Sequence, residues 1–412
     1  MGRWIRPNPR TLRGVRSDRR VVVRRDRRST HLLRGRLTPE ALPEDREYLE
    51  RARTLGRAGW GRVQPNPLVG CVLVRDGRVV AEGYHAEFGG PHAERVALRE
   101  AGEEARGATA YVSLEPCAHR GKTPPCAEAL IDAGVRRVVY GASDPGAESG
   151  GGAEILRDAG IEVTGPLLSP REARQDNPAF FHNARKALPY LETKLAVSLD
   201  GGIAAAPGAR TALTGSEALR RVHRLRGGFG GILVGSRTVV VDDPLLTVRK
   251  GEEPRRQPVR LVVDSRCMTP PDARLFRDAD RVPVVIFTTD DADPDRAKAL
   301  EKAGAQVVPR PWGPGGVDLP SVLQWCRKEG IHSVLCEGGG RLATSLLRQG
   351  LCRRLNLHLA PRVLGPDAVP AFPVDRGEEL LDDWRIVESE GNVGRDAILV
   401  LEPDEATEGR GA

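Results

Sequence analysis

The sequence predicts an α/β protein of two domains, a layered α/β domain followed by one with a parallel-rich sheet and flanking helices. A chain of 412 residues is too long for one ordinary hydrophobic core, because single cores stop growing beyond about 250 to 300 residues. The hydrophobic share of 40% suffices for globular folding. Short apolar runs with the length of buried strands alternate with segments whose apolar residues recur at helical spacing. We therefore expect an arm over 1–42, domains over 43–187 and 188–404, and a tail over 405–412.

The first domain is predicted to begin with a helix, because Tyr48, Ala52 and Leu55 share one helical face. An Asp-Gly dipeptide predicts a hairpin between the first two strands. The predicted strands are 68–74, 79–81, 109–114, 136–140 and 161–163, and the further predicted helices are 92–105 and 126–133. This alternation is typical of a layered α/β domain. Residues 180–188 lack periodicity and are expected to connect the two domains.

The second domain is predicted to open over 191–201 with a strand that runs into a turn. Thr214 and Glu217 have the spacing of a capping box, so a helix is expected to follow them and to end near Gly227. Further buried strands are predicted at 231–235, 259–264, 282–287 and 333–337. A parallel-rich sheet with flanking helices follows from strands of this apolar character.

Two separate motifs carry the parts of a hydrolytic zinc site: His92 with Glu94, and Cys117 with Cys126. A catalytic zinc takes three protein ligands and leaves its fourth position to water, which the metal acidifies. His92, Cys117 and Cys126 supply that number of ligands, and Glu94 is the candidate proton shuttle. Nucleobase deaminases have His-x-Glu followed by Pro-Cys-x-x-Cys, whereas eight residues separate the two cysteines here. The pattern therefore predicts a deaminase whose second motif is stretched.

Each of the three candidate ligands lies where an element is expected to begin. Proline precedes both His92 and Cys126, as is common at the first position of a helix. A Glu-Pro pair ends the predicted strand directly before Cys117. The positive ends of two helices are therefore expected to face the metal-bound water.

Four of the other five cysteines fit a structural role. These four lie in or beside apolar runs, as expected of small core residues, and the fifth has no evident role: Cys71, Cys267, Cys326 and Cys336, then Cys352. A structural zinc would normally want four ligands, and no fourth candidate stands near the three. Seven cysteines without regular pairing favour a reducing compartment, so we expect a cytoplasmic protein. No stretch approaches the roughly 18 to 20 apolar residues of a membrane span.

Positive charge is concentrated at the start of the chain. Residues 1–37 contain 13 arginines, no lysine and two aspartates, a net charge of +11, whereas the whole chain carries +7. The remainder therefore carries −4. A basic arm of this kind suits nucleic acid or a membrane surface, but a disordered extension, included through a misplaced start codon, is the simpler interpretation.

A glycine turn in the second domain is the best cofactor signal there. The predicted strand 333–337 leads into Gly338-Gly339-Gly340 and then into a helix, an arrangement whose backbone N–H groups can cradle phosphate. No acidic ribose partner follows at the distance typical of dinucleotide-binding folds. A tight strand-to-helix connection without a ligand stays an open alternative.

The chain resembles the bifunctional deaminase/reductases of riboflavin biosynthesis. The resemblance covers about residues 44–403, and it is carried by the motifs 65–70, 83–85, 91–94 and 114–126. It implies a cytidine-deaminase-like α/β/α domain with zinc, fused to a dihydrofolate-reductase-like α/β domain that uses NADPH. The implied reactions are deamination of a diaminopyrimidinone ribosylamine 5-phosphate, then reduction of its ribosyl group to a ribityl chain.

The resemblance also assigns residues of the deaminase site. Glu94 is implied to take a proton from the attacking water and to return it to the departing amine. The pocket is implied to be lined by Asn66, His85, Lys122 and Asp144. Lys122 in its Gly-Lys-Thr turn suits the phosphate, although a solvated loop lysine is the alternative.

In the reductase domain the resemblance assigns two further sets. The NADPH site is implied to contain Ala196, Thr238, Asp242, Ser265, Gly338, Gly339, Gly340 and Arg341. The site of the phosphorylated substrate is implied to contain Lys194, Arg226, Leu246, Arg249 and Glu337, with Lys194 near the reacting carbon. The two arginines suit bidentate phosphate binding. The implied partner is a small molecule, and a homo-oligomer is expected.

The sequence departs from the family at several positions. Arg210 and Ala212 stand where the family has a serine that faces the substrate and a tryptophan that packs against the cofactor, and Gly146-Ala147 replaces an Asn-Pro pair. One alternative is therefore a deaminase whose reductase domain is impaired or acts on a different pyrimidine. Another is an editing deaminase that holds RNA with the basic arm, but aromatic residues for base stacking make up only 4% of the chain, so we expect no nucleic acid partner.

Overall fold

The computed structural model describes residues 41–119, 124–251 and 253–404. Apart from residues 41 and 42, the predicted basic arm lies outside the described residues, and so do Lys122 and the predicted tail. One compact unit, residues 38–412, contains both sheets described below. Among the described residues, no helix is long and apolar enough to cross a membrane.

The first sheet has five strands, and helices cover both of its faces. The strands are β1 Gly70–Arg75, β2 Arg78–Tyr84, β3 Thr109–Leu114, β4 Arg137–Ala142 and β5 Glu162–Thr164. The helices are α1 Asp45–Gly56, α2 Ala93–Ala101, α3 Cys126–Asp132, α4 Gly152–Asp158, α5 Pro170–Asp176 and α6 Pro178–Asn183. The spatial order of the strands is β2-β1-β3-β4-β5, with β1 antiparallel to both of its neighbours and β3, β4 and β5 parallel.

Strand β1 shows why the first domain is layered. Cys71 and Leu73 belong to one core together with residues of α2, α3 and α4, while Val72 and Val74 belong to another together with α1. Successive side chains of a strand point to opposite faces, so an apolar run without polar alternation needs cover on both sides. The predicted layered α/β domain is confirmed.

The second sheet has nine strands. The strands of the second half of the chain are β6 Tyr190–Ser198, β7 Gly202–Ala204, β8 Gly231–Gly235, β9 Val259–Val263, β10 Val284–Thr288, β11 Ala305–Pro309, β12 Trp312–Gly313, β13 Gly316–Val317, β14 Ser333–Cys336, β15 Arg354–Ala360, β16 Val369–Pro370, β17 Trp384–Val393 and β18 Asp396–Pro403. The helices are α7 Ser216–Gly227, α8 Ser236–Asp242, α9 Pro294–Lys302, α10 Leu319–Lys328 and α11 Gly340–Arg348. The order in the sheet is β11-β10-β9-β8-β14-β6-β15-β18-β17, and β7 with β16 and β12 with β13 form small ribbons.

The second sheet is parallel over most of its width. Every neighbouring pair from β11 to β15 is parallel, whereas β18 is antiparallel to both β15 and β17. In β8, Leu233 belongs to one core and Ile232 and Val234 to the other, so this part of the sheet is covered on both faces. The predicted parallel-rich sheet with flanking helices is confirmed, with two antiparallel strands at one edge.

The predicted capping box at Thr214 and Glu217 is wrong. Helix α7 begins at Ser216 with Gly215 as its N-cap, and no side chain caps it. The backbone N–H of Gly215 instead donates to Oδ2 of Asp396 at 2.7 Å, across a sequence separation of 181 residues. A tertiary partner therefore takes the place of the local cap.

The segment predicted as an irregular connection contains helix α6. Pro178 stands in its first turn, where the missing N–H of proline costs least. The side chain of Asn177, just ahead of it, accepts from the N–H of Leu68 at 2.7 Å and donates to the same residue's carbonyl at 3.0 Å. This contact fixes the start of α6 on the deaminase domain, and a periodicity search over so short a helix does not detect it.

Candidate active sites

The predicted ligands His92, Cys117 and Cys126 come together at one end of the first sheet. Nδ1 of His92 lies 3.6 Å from Sγ of Cys117 and 3.3 Å from Sγ of Cys126. His92 is the N-cap of α2, Cys126 is the first residue of α3, and Cys117 follows strand β3. The sequence therefore brings three ligand atoms together from the starts of two helices and the end of one strand.

The spacing of these atoms fits a tetrahedral zinc ion. Zinc binds nitrogen at about 2.0–2.1 Å and sulfur at about 2.3 Å, which places ligand atoms about 3.5 to 3.8 Å apart. The three atoms lie within 4.8 Å of one another, and they form the one such group of His, Cys and acidic residues found in the described residues. The side-chain hydrogen bond with Cys126 and the contact with His92 outweigh burial and lower the pKa of the Cys117 thiol to about 4. A thiolate at this position is what a metal ligand requires.

Glu94 is the acidic group nearest to this cluster. It lies in the first turn of α2 and is only 3% exposed. Burial raises its pKa, which brings a carboxyl group closer to the range useful for proton transfer. Glu94 lines a cavity of about 530 Å³ together with His92 and Cys117.

Three of the four predicted pocket residues lie in the same cavity, namely Asn66, His85 and Asp144. Nδ1 of His85 lies 3.0 Å from the carbonyl oxygen of Pro91, and Nε2 lies 3.2 Å from Nδ2 of Asn66. A carbonyl oxygen only accepts, so Nδ1 carries the proton of His85 and Nε2 accepts from Asn66. Burial lowers the pKa of His85 and favours this neutral form. The imidazole therefore fixes the side chain of Asn66 in the pocket.

Glu115 is a site residue that sequence reasoning missed. Its carboxylate accepts three backbone hydrogen bonds, from Asp144 at 3.1 Å, Gly151 at 3.2 Å and Ala153 at 3.1 Å. It thereby holds the loop that carries Asp144 beside Cys117. The available sequence signal for Glu115 was an acidic residue directly before the Pro-Cys motif that supplies the ligand Cys117. Gly152 in the same loop approaches so closely that a Cβ there would lie 1.7 Å from the carbonyl oxygen of Pro116.

In the second domain, Lys194, Arg226 and Glu337 form one buried cluster. Nε and Nη2 of Arg226 donate to the two carboxylate oxygens of Glu337 at 2.6 Å and 2.8 Å. Burial lowers the pKa of Lys194 to about 8, against the attraction of Glu337. Burial raises the pKa of Glu337, but the charge of Arg226 outweighs it, so the net pKa is lowered. Lys194 and Glu337 therefore both remain charged at neutral pH.

Arg249 belongs to a second group of cations beside this cluster. Its side chain is exposed, and its backbone N–H donates to Nδ1 of His223 at 3.2 Å. Burial lowers the pKa of Arg249, and the charges of Arg226 and Arg274 lower it further. Sequence reasoning missed Arg274 and His223. His223 lies three residues before Arg226 on one face of α7, which was the available signal.

The predicted glycine turn connects β14 to α11. Gly339 is the N-cap of α11 and Gly235 is the N-cap of α8, and no side chain caps either helix. The N–H of Gly339 donates to Oγ1 of Thr238 at 3.2 Å. A Cβ at Gly340 would lie 2.5 Å from the carbonyl oxygen of Ala371, so only glycine fits there. Uncapped backbone N–H groups of α11 are a fitting cradle for the pyrophosphate of NADPH.

The other predicted cofactor residues lie on different elements of the second domain. Asp242 lies one turn after Thr238 on α8; burial raises its pKa, while the charge of Arg210 opposes this rise. Ala196 lies two residues after Lys194 on β6 and therefore faces the same side of the sheet. Arg341 is exposed in the first turn of α11.

Two predicted residues are engaged elsewhere. The side chain of Leu246 is 2% exposed and packs in the core, so only its backbone, at a φ of 51°, is free to meet a substrate. Oγ of Ser265 accepts from the N–H of Val317 at 3.1 Å, which leaves its own proton and one lone pair for a ligand.

Two family models match the chain. The cytidine and deoxycytidylate deaminase zinc-binding region matches residues 42–142, and the RibD C-terminal domain matches residues 189–391. The first match covers β1 to β4 with the three candidate zinc ligands, and the second covers β6 to β16 and most of β17.

Characterised relatives match over nearly their whole length. The chain is 41% identical over 372 residues to the riboflavin biosynthesis protein RibD of Escherichia coli K12, covering 87% of this chain and 99% of that protein. It is 42% identical over 322 residues to RibD of Actinobacillus pleuropneumoniae, covering 78% of this chain and 85% of that protein.

Solved structures agree with these matches. RibD of Acinetobacter baumannii superposes with a TM-score of 0.76 at 34% identity, covering 88% of this chain and 99% of that one. The diaminohydroxyphosphoribosylaminopyrimidine deaminase/5-amino-6-(5-phosphoribosylamino)uracil reductase of Thermotoga maritima superposes with a TM-score of 0.75 at 32% identity, covering 87% of this chain and 98% of that one.

Proposed function

Because the chain belongs to the RibD family of bifunctional riboflavin biosynthesis proteins, we propose that its two candidate sites perform the two reactions of that family in sequence. The protein is a deaminase and a reductase of riboflavin biosynthesis, with zinc in the first domain and NADPH in the second. The observation that carries the assignment is the presence of a fitting His-Cys-Cys zinc site and of a separate cation-rich cluster in one chain. We assign residues 43–187 to the deaminase and 188–404 to the reductase.

For the deaminase we propose that Glu94 moves the protons. A zinc ion held by His92, Cys117 and Cys126 supplies Lewis acidity, which activates water at neutral pH. The water attacks C2 of the diaminopyrimidinone ring, and the amine leaves as ammonia. Glu94 takes a proton from the attacking water and returns it to the departing nitrogen. Its burial and its position one residue from the α2 N-terminus support this role.

The pocket residues are proposed to orient the ring. Asn66 is held by His85, so its amide presents a fixed edge to the pyrimidinone. Asp144 is held by Glu115, and burial raises its pKa. The absence of the family's Asn-Pro pair after residue 145 leaves Gly146 and Ala147 at this wall of the cavity. Lys122, predicted for the phosphate, lies outside the described residues.

For the reductase we propose that Lys194 supplies the proton that the reduction consumes. NADPH, when bound, supplies the hydride for C1′ of the sugar. Opening the ribosylamine ring leaves an oxygen that must gain a proton, and the Lys194 ammonium is the donor assigned to it. Glu337 and Arg226 keep the lysine in place, and Arg249 with Arg274 binds the phosphate. The contacts of this cluster support the assignment.

We propose that the enzyme works in the cytoplasm on a phosphorylated pyrimidine. The seven cysteines are free, which supports a reducing compartment. The predicted homo-oligomer stays a prediction. The RNA-editing alternative rests on the basic arm, which lies outside the described residues, and we do not propose it.

To test this proposal, the purified, zinc-loaded protein is incubated with the diaminopyrimidinone ribosylamine phosphate, with and without NADPH. The products are followed by mass spectrometry. Deamination gains about 1 Da, and reduction adds about 2 Da more only when NADPH is present. Loss of the first gain would refute the deaminase assignment. Absence of the second in the presence of NADPH would support the impaired-reductase alternative.

A further inference from the structure

Two of the cavities between the two domains border the floor of the second sheet. Their volumes are about 480 Å³ and 330 Å³, and both are lined by Trp60, Asp176 and Asn356. We call the two cavities together the interdomain cleft. The larger one shares Asn66 and Phe180 with the 530 Å³ deaminase cavity. The cleft therefore begins at the wall of the deaminase site.

Direct contacts hold the two domains in place around the cleft. Nε1 of Trp60 donates to the carbonyl oxygen of Arg224 at 2.7 Å, and the N–H of Arg255 donates to the carbonyl oxygen of Gly61 at 3.0 Å. The guanidinium of Arg255 also lies 4.9 Å from the ring centroid of Phe88. Trp60 and Gly61 come from the short segment between α1 and β1, and Phe88 follows β2, so two segments of the deaminase domain contact the reductase domain here.

The floor of the cleft is the sheet surface that carries Lys194. Glu192 and Asn356 line the larger cavity, and Asn356 and His358 line the smaller one. Asn356 is the register partner of Lys194 in the parallel pair β15 and β6, and Glu192 is two residues before Lys194. Residues two apart on a strand share a face, and neighbouring strands lie about 4.7–4.9 Å apart. The cleft therefore reaches within one strand of the reductase cluster.

The lining has the chemistry to recognise a phosphorylated uracil. Arg255 and Arg256 line the larger cavity and Arg224 the smaller one, so guanidinium groups are available along the cleft for a phosphate. Asn66, which lines both the larger cavity and the deaminase cavity, offers its side-chain amide to the uracil ring. The cavity volumes lie in the range of about 300–1,000 Å³ typical of small-molecule sites.

We propose that the interdomain cleft binds the deaminated intermediate, a phosphorylated ribosylaminouracil, and passes it from the deaminase site to the reductase site within one chain. The proposal rests on the proposed function, since it needs both sites to be active. The cleft thereby has a ligand of its own and a direction of transfer, from the deaminase site to the reductase site. A released intermediate must dilute into solution, whereas a bound one reaches Lys194 along the polar floor.

The test is an isotope competition in one pot. The full-length, zinc-loaded enzyme receives unlabelled diaminopyrimidinone substrate, NADPH and an excess of the intermediate labelled with carbon-13 in its ribosyl group. Mass spectrometry of the first ribityl product gives its labelled fraction. Transfer through the cleft predicts several-fold more unlabelled product than the composition of the free pool dictates. A product that matches the free pool from the first turnover would overturn the proposal.

Two substitutions in the cleft, with one control outside it, test whether the intermediate is transferred through the cleft. Glu388 is exposed and lines both cavities, so Glu388→Trp should fill part of the cleft and bring the labelled fraction up to that of the free pool. Asp382→Trp, an exposed acid outside both linings, is the matched control and should keep the wild-type fraction. Gln175→Trp, which also lines both cavities, repeats the test from the deaminase side.

Each half-reaction is also assayed alone, with substrate for the deaminase and with supplied intermediate for the reductase. Both half-reactions should remain measurable in these variants, and the labelled fractions are compared only among proteins that carry out both. If both cleft variants retain the wild-type labelled fraction, the route is elsewhere and the proposal fails. If wild-type protein lacks one half-reaction, the proposed function fails instead, so the two failures are distinguishable.

Discussion

Arg226 and Glu337 form a bidentate ion pair inside the reductase domain, with N–O distances of 2.6 Å and 2.8 Å across 111 residues of sequence. Nη1 of Arg226 donates in addition to the carbonyl oxygen of Thr247 at 3.1 Å. All three guanidinium nitrogens of Arg226 are therefore engaged. The resemblance placed both Arg226 and Arg249 on the substrate phosphate, whereas the geometry leaves that task mainly to Arg249 and to the neighbouring Arg274.

Replacement of Arg249 by alanine should weaken the phosphorylated intermediate and leave NADPH unaffected. A hydrogen bond to a charged group contributes about 1.5–3 kcal/mol, so the KM for the intermediate should rise about 10- to 100-fold. NADPH binding, measured by fluorescence titration, should stay at the wild-type Kd. Arg281→Ala is the control, because Arg281 is an exposed arginine three residues before β10. Equal losses for both ligands would move Arg249 out of the phosphate site.

The reductase should lose activity as the pH rises through about 8, because burial lowers the pKa of Lys194 to about 8. Above that pH the amine no longer carries the proton that the reduction needs. The measurement is kcat/KM for supplied intermediate between pH 6 and 10, and the decline should approach about tenfold per pH unit. Lys194→Gln should lower the rate by about 10²- to 10⁴-fold and remove this alkaline decline. A variant that keeps the same decline would assign it to another group.

The pH dependence of protein stability distinguishes the loss of reductase activity from a loss of folded protein. The folded pKa of Lys194, about 8, lies below the unfolded value of about 10.4, so the unfolded chain binds more protons between these pH values. The contribution of Lys194 to the free energy of unfolding therefore rises with pH across this window. A loss of activity above pH 8 thus runs opposite to the effect of this group on stability, and thermal unfolding at each pH provides the control.

Glu94→Gln should leave zinc bound and abolish deamination. Glutamine keeps the size of the buried side chain but cannot carry a proton, so the deaminase kcat should fall about 10²- to 10⁴-fold. Zinc content by elemental analysis and the isolated reductase rate should match the wild type. Deamination at an undiminished rate would exclude Glu94 as the proton shuttle.

Cys117→Ser should release the metal, because a hydroxyl is a poor substitute for a thiolate ligand. Zinc content per chain should fall to near zero together with deaminase activity, while the reductase stays active. Cys71→Ala is the matched control, because Cys71 is a fully buried cysteine of the same domain outside the ligand cluster. A full zinc complement in Cys117→Ser would show that the ligand set is wrong.

The zinc site could be predicted because its residues stand at local landmarks. His92 and Cys126 follow prolines at the starts of helices, so short sequence patterns place them correctly. The sheets were predictable for a similar reason, since buried strands are continuous apolar runs. Features that depend on local sequence patterns can therefore be predicted from the sequence.

The remaining features depend on contacts between distant parts of the chain. Thr214 has the spacing of a cap, yet Asp396 binds the start of α7 across the fold. Arg274 joins the cations around Arg249 only through tertiary packing. No spacing rule connects Arg274 with Arg249, or Asp396 with Gly215, so the sequence could not predict these two contacts.

The resemblance implies a tryptophan against the cofactor where this chain has Ala212, so we expect that introducing it strengthens NADPH binding. Ala212 is exposed, and its carbonyl oxygen accepts from Nη1 of Arg362 at 2.6 Å. The next carbonyl, that of Leu213, accepts from Nη2 of Arg395 at 3.1 Å. Two arginines thus hold the backbone from outside the segment, so an indole at position 212 has a fixed attachment and open space to occupy.

Packing between aromatic rings contributes about 0.5–1.5 kcal/mol beyond buried area, so Ala212→Trp should lower the Kd for NADPH about 2- to 10-fold. Fluorescence titration measures this without turnover. Ala205→Trp, an exposed alanine of the same connection, is the control for a nonspecific effect of an added indole. An unchanged Kd in Ala212→Trp would mean that the nicotinamide is held by other groups here, and equal gains in both variants would mean that the indole acts without occupying the family's position.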